Sequence, residues 1–396
     1  MVKHQLQIRP LNIRHKLFDE TIRAKLESEF GKDFLSTELF GFALKDIDKK
    51  DLEQLRNYFD KIAINVHEEN NSVEIYTGKL KLKQYFTDKK SKPEFEIASM
   101  LENVYANYEK YSSCSFFVGR RKYEMSKFHI MGILNVTPDS FSDGGKYYEI
   151  EAAVRRGVEM YDAGVDFIDI GGESTRPGAE MVSTKEEMRR VLPVIEGILR
   201  ERPDAVISVD TTKSGIAASA LDLGAKIVND ISGLTFDEKM IDVISAYDAT
   251  VIIMHIKGTP QTMQLNPFYE DTIGEIYEFL SHQMQKAKNG GIENIIVDPG
   301  IGFGKRVKDN YEIIARLDEF KGLGAPLLIG LSRKSFLGKA LDLPVEQRDY
   351  ATLVTEQIAI ENGAVIVRTH NYKKLIEARK INEYIQNPNS LELNNV

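Results

Sequence analysis

The segment FHIMGILNVT, residues 128–137, decides the fold, because it is almost continuously apolar and a polar, glycine-containing loop follows it. Seven further segments of this kind follow along the chain, most of them rich in Val and Ile: DFIDIGG (166–172), VISVDT (206–211), IVNDIS (227–232), TVIIMH (250–255), IIVDPG (295–300), LLIGLS (327–332) and VIVRTH (365–370). Such runs are typical of parallel strands that are buried on both faces. We therefore predict eight parallel strands.

Amphipathic stretches separate these runs, among them TKEEMRRVLPVIEGILRE (184–201) and TIGEIYEFLSHQMQKAKNGG (272–291). Several of them end in Gly just before the next strand, as a helix C-cap does. Eight strand–helix units in roughly 265 residues are the size of a (β/α)₈ TIM barrel, an α/β fold. A doubly wound open sheet is the alternative, but the first loop lacks the G-x-G-x-x-G pattern that often accompanies it.

The chain before the barrel has a different pattern. We predict a small α+β domain over residues 1–120, the barrel over 121–386, and a disordered tail over 387–396. Within residues 37–60 the pattern predicts a strand and then a helix. Residues 62–78 have the pattern of a hairpin that turns at Glu-Asn-Asn-Ser. Residues 113–127 are predicted to form a second hairpin, turning at Gly119 and leading into the barrel.

Composition narrows the class of protein. The chain has 396 residues, 42% of them hydrophobic, and a net charge of −8, which argues against nucleic acid as the main partner. A single cysteine, Cys114, excludes an internal disulfide and a multi-cysteine zinc site. No apolar run approaches the ~20 residues that span a bilayer, and the N-terminus has no signal-peptide pattern. We expect a cytoplasmic protein that does not associate with membranes.

The active site of a TIM barrel lies at the carboxyl ends of its strands, so the strand list predicts where the chemistry is. Nearly every predicted strand ends in a polar or charged group. These groups are Asn135, the segment 171–178, Asp210, Asn229, His255, Asp298, the segment 332–334 and the segment 368–370. A single one of them could be a structural cap, but eight at one end of a barrel indicate a site.

The two halves of this rim differ in chemistry. Asp210, Asn229 and Asp298 suit a planar heterocycle whose edge carries N–H donors beside acceptors. On the other side, Lys334 and the Arg368–His370 pair are cationic or can become so, at the strands where phosphate sites recur in TIM barrels. The residues thus predict a hydrogen-bonding ring at one side and a phosphoryl group at the other.

Two loops are long and rich in Gly, Pro, Ser and Asp: NVTPDSFSDGGKYY (135–148) and GGESTRPGAEMVS (171–183). Both could act as mobile lids. Asn135, Asp139 and Asp143 offer oxygen ligands that would suit Mg²⁺ beside a diphosphate, although the first loop could also be a capped turn. The segment DPGIGFGK (298–305) lacks the spacing of a nucleotide-binding P-loop. His255 could be a rim histidine with a structural role or a catalytic group.

The segments MGILNVTPDSFSDGG (131–145) and GGESTRPGA (171–179) closely resemble the two signature segments of dihydropteroate synthases. The remaining strand-end segments also resemble that family's blocks, in order, over about residues 125–384. The resemblance implies a TIM-barrel transferase of folate biosynthesis. It would condense (7,8-dihydropterin-6-yl)methyl diphosphate with p-aminobenzoate to 7,8-dihydropteroate and diphosphate, with Mg²⁺ as cofactor. It also implies a homodimer and a target of sulfonamides.

The resemblance implies roles residue by residue. The pterin diphosphate would be bound by Thr175, Asp210, Asn229, Met254, Asp298, Lys334, Arg368 and His370. The p-aminobenzoate pocket would comprise Phe141, Thr175, Arg176, Pro177, Phe303, Lys334 and Ser335. Asn135 would be the Mg²⁺ ligand. The catalytic residues would be Asp143, Asp210, Asp298, Lys334 and Arg368.

Three alternatives stay open at this point. A pterin-dependent methyltransferase would use Asp210, Asn229 and Asp298 but has no use for Lys334 or the Arg368–His370 pair. A non-catalytic pterin-binding protein should have lost some of the loop or diphosphate residues. A third possibility is a second folate-pathway activity in the N-terminal domain, where no cluster of catalytic residue types stands out.

After His370 the chain reads Asn-Tyr, where the family commonly has an acidic and a small apolar residue, so diphosphate affinity is expected to differ slightly.

Overall fold

The structure, a computed structural model, describes residues 6–16, 19–30, 39–59, 65–69, 72–87, 96–137, 146–174 and 182–389. The chain forms two compact units. The first unit combines Met1–Tyr111 with Ala315–Gly324, and the second combines Ser112–Ile314 with Ala325–Val396. The predicted tail lies mostly outside the described residues.

The first unit is a four-stranded antiparallel sheet with helices. Its elements are β1 (Gln7–Leu11), α1 (Ile13–Lys16), α2 (Glu20–Phe30), β2 (Leu39–Lys45), α3 (Lys49–Phe59), β3 (Asn65–Glu69), β4 (Ser72–Gly78), α4 (Lys79–Thr87) and α5 (Glu96–Lys110). The strand order is β1-β2-β4-β3. The predicted strand–helix pair is β2 and α3, and the predicted hairpin is β3–β4, in which Glu69 pairs with Ser72.

The core of this unit follows from the alternation of its strands. On β2, Phe40, Phe42 and Leu44 are buried, and they pack with Ile75 of β4 and Leu101 of α5. Side chains two apart on a strand face the same side, so one face of the sheet is apolar and the helices cover it. The amphipathic α5 contributes one face to the same core.

The segment 315–324 belongs to this unit by its contacts, although in sequence it lies between two barrel elements. Its 3₁₀-helix, Leu317–Leu323, carries Glu319, which is fully buried. The Glu319 carboxylate accepts hydrogen bonds from Arg9 of β1, from Arg316 at 2.8 Å and from the backbone N–H of Asn12 at 3.0 Å. Two buried guanidinium groups therefore share one carboxylate.

The second unit begins with the predicted hairpin and continues as the barrel. The hairpin strands are β5 (Ser115–Val118) and β6 (Arg121–Glu124), joined at Gly119, whose φ of 56° suits glycine. The barrel strands are β7 (His129–Asn135), β8 (Phe167–Gly171), β9 (Ile207–Asp210), β10 (Ile227–Asp230), β11 (Thr250–Met254), β12 (Ile295–Asp298), β13 (Leu328–Gly330) and β14 (Ile366–Thr369).

These eight strands are parallel and run in the order β12-β11-β10-β9-β8-β7-β14-β13. A parallel bridge between Val297 and Leu327 joins the two ends, and the N–H of Val297 donates to the Pro326 carbonyl at 3.0 Å. The sheet is therefore closed, and the predicted (β/α)₈ barrel is confirmed. Closure brings the carboxyl ends of all eight strands to one rim.

Helices follow the strands: α6 (Lys146–Asp162), α7 (Thr184–Glu201), α8 (Ser214–Asp222), α9 (Met240–Ala246), α10 (Thr272–Asn289), α11 (Val307–Ala315), α12 (Ser335–Leu341), α13 (Asp349–Glu361) and α14 (Tyr372–Gln386). The side chains of Ser183 and Asp271 cap α7 and α10 by accepting backbone N–H bonds. Within the described part of the chain, none of the helices combines the length and the apolarity needed to cross a membrane.

The shared carboxylate of the first unit generates a prediction. We expect Glu319→Ala to lower the free energy of unfolding by about 3–5 kcal/mol, because two buried guanidinium groups lose their anion. Thermal and urea unfolding followed by far-ultraviolet circular dichroism measure the change. The control is Glu53→Ala on the exposed side of α3, which should change stability by less than about 0.5 kcal/mol. Equal losses in the two variants would contradict the prediction.

Candidate active site

The rim places three of the predicted residues side by side. The strand register pairs Asn135 with Gly171, Gly171 with Asp210 and Asp210 with Asn229. Residues in one register row of a parallel sheet point to the same face. Because Gly171 has no side chain, it leaves space between Asn135 and Asp210 at the rim.

A buried carboxylate that we did not predict organises this side of the rim. Asp169, in the middle of β8, is fully buried. Its carboxylate accepts hydrogen bonds from Ser208 Oγ at 2.6 Å, Asn229 Nδ2 at 3.0 Å and Arg368 Nε at 2.6 Å. An ionised carboxylate is only an acceptor, and these three donors satisfy it. The signal in the sequence is an Asp inside an otherwise apolar strand, DFIDIGG.

Arg368 bridges two carboxylates. Besides Asp169, it donates from Nη2 to Asp210 Oδ2 at 2.7 Å. Burial raises the pKa of Asp210 to about 7, and the Arg368 guanidinium opposes that shift. One cation between two carboxylates leaves this part of the rim with a surplus of acceptor groups. Such a surface suits a ligand edge that carries N–H donors.

The part of the rim at β12 and β13 holds Asp298, Lys334 and Phe303. Asp298 is buried and accepts the N–H of Gly300 at 2.7 Å. Burial raises its pKa, and Lys334 opposes the shift. The Lys334 amine donates to the carbonyl of Ile301 and lies 4.4 Å from the centre of the Phe303 ring. Burial lowers the pKa of Lys334 to about 8, although Asp298 works in the other direction.

His370 lies just past β14, next to the loop that follows β13. Its Nδ1 is 3.1 Å from Ser332 Oγ, and its backbone N–H donates to the same oxygen at 3.2 Å. Ser335, the first residue of α12, is exposed and follows Lys334 directly. A helix N-terminus that directly follows a lysine is favourable for an anion.

Met254 ends β11 and His255 follows it, and both are buried. Met254 packs with Ile231, Ile256, Met263 and the half-buried Phe303. The His255 Nδ1 is 2.9 Å from the amine of Lys305, a second residue that we did not predict. Burial lowers the pKa of His255 well below its usual value, so the ring is neutral at pH 7 and is not a ready proton donor. Of the two interpretations offered above for His255, this favours the structural role.

Five predicted residues lie outside the described residues: Phe141, Asp143, Thr175, Arg176 and Pro177. The base of the second loop is described. There Glu173 accepts the backbone N–H of Val182 at 3.1 Å and a hydrogen bond from Lys213 at 2.6 Å. Lys213 also bonds to the buried Glu187 of α7. This charge network ties the two ends of the loop together across its base.

A cavity of about 320 Å³ opens beside Asp210. Its walls include Ser174 at the start of the second loop, Thr211, Ile231, Phe236 and Pro260. That volume is at the lower end of the range of small-molecule pockets, and the mixture of apolar walls with a few polar groups is typical of them.

The side chains of the described residues include no group of three or more His, Cys, Asp or Glu that could bind a metal. Asn135, the last residue of β7, offers one amide oxygen. This fits Mg²⁺, which usually keeps several waters and takes further oxygens from phosphate groups.

Comparison with known proteins identifies the class to which this barrel belongs. Residues 131–370 match the family model described as pterin binding enzyme. A dihydropteroate synthase of Synechocystis is 47% identical over 268 residues, which cover 67% of this chain and 92% of that protein. The Xanthomonas albilineans dihydropteroate synthase structure with 4-aminobenzoic acid has a TM-score of 0.64 at 36% identity and covers 69% of this chain and 98% of its own.

The Yersinia pestis dihydropteroate synthase structure, solved with a sulfonamide drug complex, has a TM-score of 0.65 at 39% identity, covering 69% of this chain and 99% of its own. The fold and the family model together define a pterin-binding TIM-barrel enzyme. More specifically, the chain belongs to the dihydropteroate synthase family, and it is a transferase of a pterinylmethyl group. The match to the family model does not include residues 1–130.

The lowered pKa of Lys334 generates a prediction of pH dependence. Its ammonium form predominates below about pH 8 and is lost above it. We therefore expect kcat/KM for the pterin diphosphate to fall as pH rises through about 8, because the cation that faces the anionic substrate disappears. Steady-state rates between pH 6 and pH 10 measure this limb, a range chosen to bracket the lysine titration on both sides.

A pair of variants tests whether Lys334 is the group whose titration causes the fall of kcat/KM above about pH 8. Lys334→Arg keeps its charge across that range, so the limb should move to higher pH even if the rate falls. Lys339→Arg, on the exposed side of α12, should leave the profile unchanged. A limb that stays at pH 8 in Lys334→Arg would assign the titration to another group.

Proposed function

We propose that the described rim carries out dihydropteroate synthesis with a division of labour between its two sides. Asp210, Asn229 and Asp298 bind the pterin, while Lys334 and His370 bind the diphosphate. The observation that carries the proposal is a hydrogen-bond network at one side of the closed barrel, in which Arg368 donates to Asp169 and Asp210 and Asn229 donates to Asp169. This arrangement supplies acceptors for the N–H groups of a pterin, and the lysine and histidine on the other side supply donors for phosphate oxygens.

The acceptor side recognises the pterin by matching donors to acceptors. Asn229 uses its amide nitrogen to donate to Asp169, so its amide oxygen is the atom offered to a ligand. Asp298 lies in a buried pocket, where a hydrogen bond to a ligand N–H is stronger than in water. An analogue without those N–H groups would leave the buried acceptors unpaired, which is the strongest basis for selectivity.

The reaction then needs charge stabilisation more than it needs a nucleophile. As the diphosphate leaves, Lys334 and His370 compensate its negative charge, and the carboxylates of Asp298 and Asp210 stabilise the positive charge left on the pterin. The amine of p-aminobenzoate attacks the methylene carbon directly. Met254 and Phe303 provide an apolar surface beside that carbon.

Magnesium would be bound by Asn135, with diphosphate and water oxygens as its other ligands, and it would neutralise charge on the leaving group. The remaining predicted roles stand as proposals. Asp143 stabilises the pterin cation, and Arg368 also contacts the diphosphate. The residues that contact p-aminobenzoate are Phe141, Thr175, Arg176, Pro177 and Ser335, and Thr175 also contacts the pterin diphosphate. A cytoplasmic location is proposed from the single cysteine and the soluble substrates.

An activity assay tests the function directly. We expect the purified full chain to release diphosphate from the pterin diphosphate only when p-aminobenzoate and Mg²⁺ are present, with dihydropteroate as the second product. Chromatography detects the pteroate, and a coupled assay detects the diphosphate. Pterin binding without p-aminobenzoate-dependent release would overturn the proposal in favour of a pterin-dependent methyltransferase or a non-catalytic pterin-binding protein.

A variant that removes the charge of Asp298 tests whether this carboxylate takes part in the reaction. We expect Asp298→Asn to lower kcat/KM by about 10²- to 10³-fold, the usual effect of removing one preorganised electrostatic group from a buried site. The matched control is Asp342→Asn, which is exposed at the end of α12 and has a positive φ that Asn tolerates. Equal activity in both variants would place the chemistry elsewhere.

We also propose that the chain forms a homodimer through α13 and α14. Tyr350, Val354 and Ile358 lie on one face of α13 at a spacing of four residues, and Tyr350 is 80% exposed. Ile381 and Ile385 repeat the pattern on α14. A contiguous apolar surface of this kind fits a self-complementary contact between two copies.

Sedimentation equilibrium tests the dimer. The wild type should have twice the chain mass, and the double variant Val354→Glu with Ile358→Glu should have the mass of one chain, because charges cannot be buried unpaired at the contact. Leu223→Glu, exposed at the end of α8, should leave the mass unchanged. A wild type with the mass of one chain would contradict the proposal.

A further inference from the structure

The loop that carries Phe303 lies unusually close to the end of β11. Gly300 and Gly304 both have positive φ. A Cβ at Gly300 would lie 1.9 Å from the His255 carbonyl oxygen, and one at Gly304 would lie 2.4 Å from the Lys257 carbonyl oxygen. Only glycine permits such close backbone contact, so the loop rests directly on residues 255–257.

The backbone of this loop is also bound from outside. Asn310 accepts the N–H of Gly302 at 2.6 Å, Gln264 donates to the carbonyl of Gly302 at 2.9 Å, and Tyr269 donates to the carbonyl of Gly304 at 2.7 Å. Each of these contacts holds a glycine. The carbonyl of Phe303 itself is held by a different group.

That group is Lys305, which is buried with only 4% of its surface exposed. Its amine donates to the Phe303 carbonyl at 3.0 Å and contacts His255 at two atoms, Nδ1 at 2.9 Å and the carbonyl oxygen at 3.4 Å. Across the described ranges of the chain, no carboxylate lies within ion-pair distance of this amine. Placing a lysine in such surroundings is costly, and burial lowers its pKa well below the usual value.

His255 is held in place for this contact. Its ring packs edge-on against Phe279, with the ring centres 5.0 Å apart, and lies 6.1 Å from the Tyr269 ring. The three contacts of the Lys305 amine connect the end of β11 to the backbone of Phe303. On its other side, the Phe303 ring faces the Lys334 amine.

We propose that Lys305, with His255 as its partner, is a positioning residue that holds Phe303 against Lys334 and so sets the affinity for p-aminobenzoate. The proposal rests on the assignment of Phe303 to the p-aminobenzoate pocket. A positioning role explains why a lysine is buried here, since its hydrogen bond holds the Phe303 carbonyl, which the contacts to the three glycines do not reach.

The part of the pterin side that holds Asp210 and Asn229 is restrained separately, whereas Asp298 accepts the N–H of Gly300 in the Phe303 loop itself. Asp210 and Asn229 are fixed through Asp169 and Arg368, and none of these four contacts Lys305. Loss of the Lys305 contacts should therefore lower mainly the affinity for p-aminobenzoate. This separation makes the expected kinetic effect selective.

The test uses Lys305→Met, which keeps the length of the side chain and removes its donors. We expect the KM for p-aminobenzoate to rise about tenfold, as for the loss of one hydrogen bond at a buried site. The KM for the pterin diphosphate should change less than the KM for p-aminobenzoate, because Asp210 and Asn229 stay in place. The inhibition constant of sulfanilamide should rise in parallel with the KM for p-aminobenzoate. The matched control is Lys308→Met, an exposed lysine three residues further on, which should leave all three constants unchanged.

Two variants of His255 test the same inference if Lys305→Met does not fold. His255→Leu should reproduce the rise in KM, while His255→Asn, which keeps a polar atom near the Nδ1 position, should largely restore the wild-type value. An unchanged KM for p-aminobenzoate in both Lys305→Met and His255→Leu, or an equal loss for both substrates, would overturn the inference. A wild type without synthase activity would instead refute the proposed function, so the two failures are distinguishable.

Discussion

The Asp169 carboxylate is the constraint on which the arrangement of the site depends. It is fully buried in the middle of β8, yet it accepts bonds from side chains of β9, β10 and β14. A buried charge is tolerated only when it is paired and fully hydrogen-bonded, so its three donors cannot rearrange independently. The positions of Asn229 and Arg368 at the rim are therefore determined from inside the barrel, and not by the loops above it.

The site is arranged at the expense of stability. Burial raises the pKa of Asp210 and of Asp298 and lowers that of Lys334, so each of these groups is less stable as an ion in the folded protein than it would be in water. Shifts of this kind cluster where charges serve a reaction. In dihydropteroate synthesis the pterin cation and the leaving diphosphate are the charges that such groups can compensate.

Much of this fold could be predicted because its signals are local. Eight apolar runs and their glycine-ended helices are properties of short segments, and parallel strands of a closed barrel must bring their carboxyl ends together. The roles of Asp169 and Lys305 could not be predicted, because their partners lie 199 and 50 residues away in sequence. Nor does any local pattern show that residues 315–324 pack with the N-terminal unit. Pairing over such distances depends on the three-dimensional closure itself.

On the proposed assignment, the surfaces that bind the two substrates are restrained in different ways. The pterin side is fixed by an ionic network among strands, which are the most rigid elements of a barrel. The Phe303 side is a glycine-rich loop, and a loop gains comparable rigidity only from added contacts such as those of Lys305. The Lys305 amine bonds to backbone carbonyls and so restrains the loop without a carboxylate within ion-pair distance among the described residues. An ion pair at the same place would alter the field that Asp298 and Lys334 provide for the departing diphosphate.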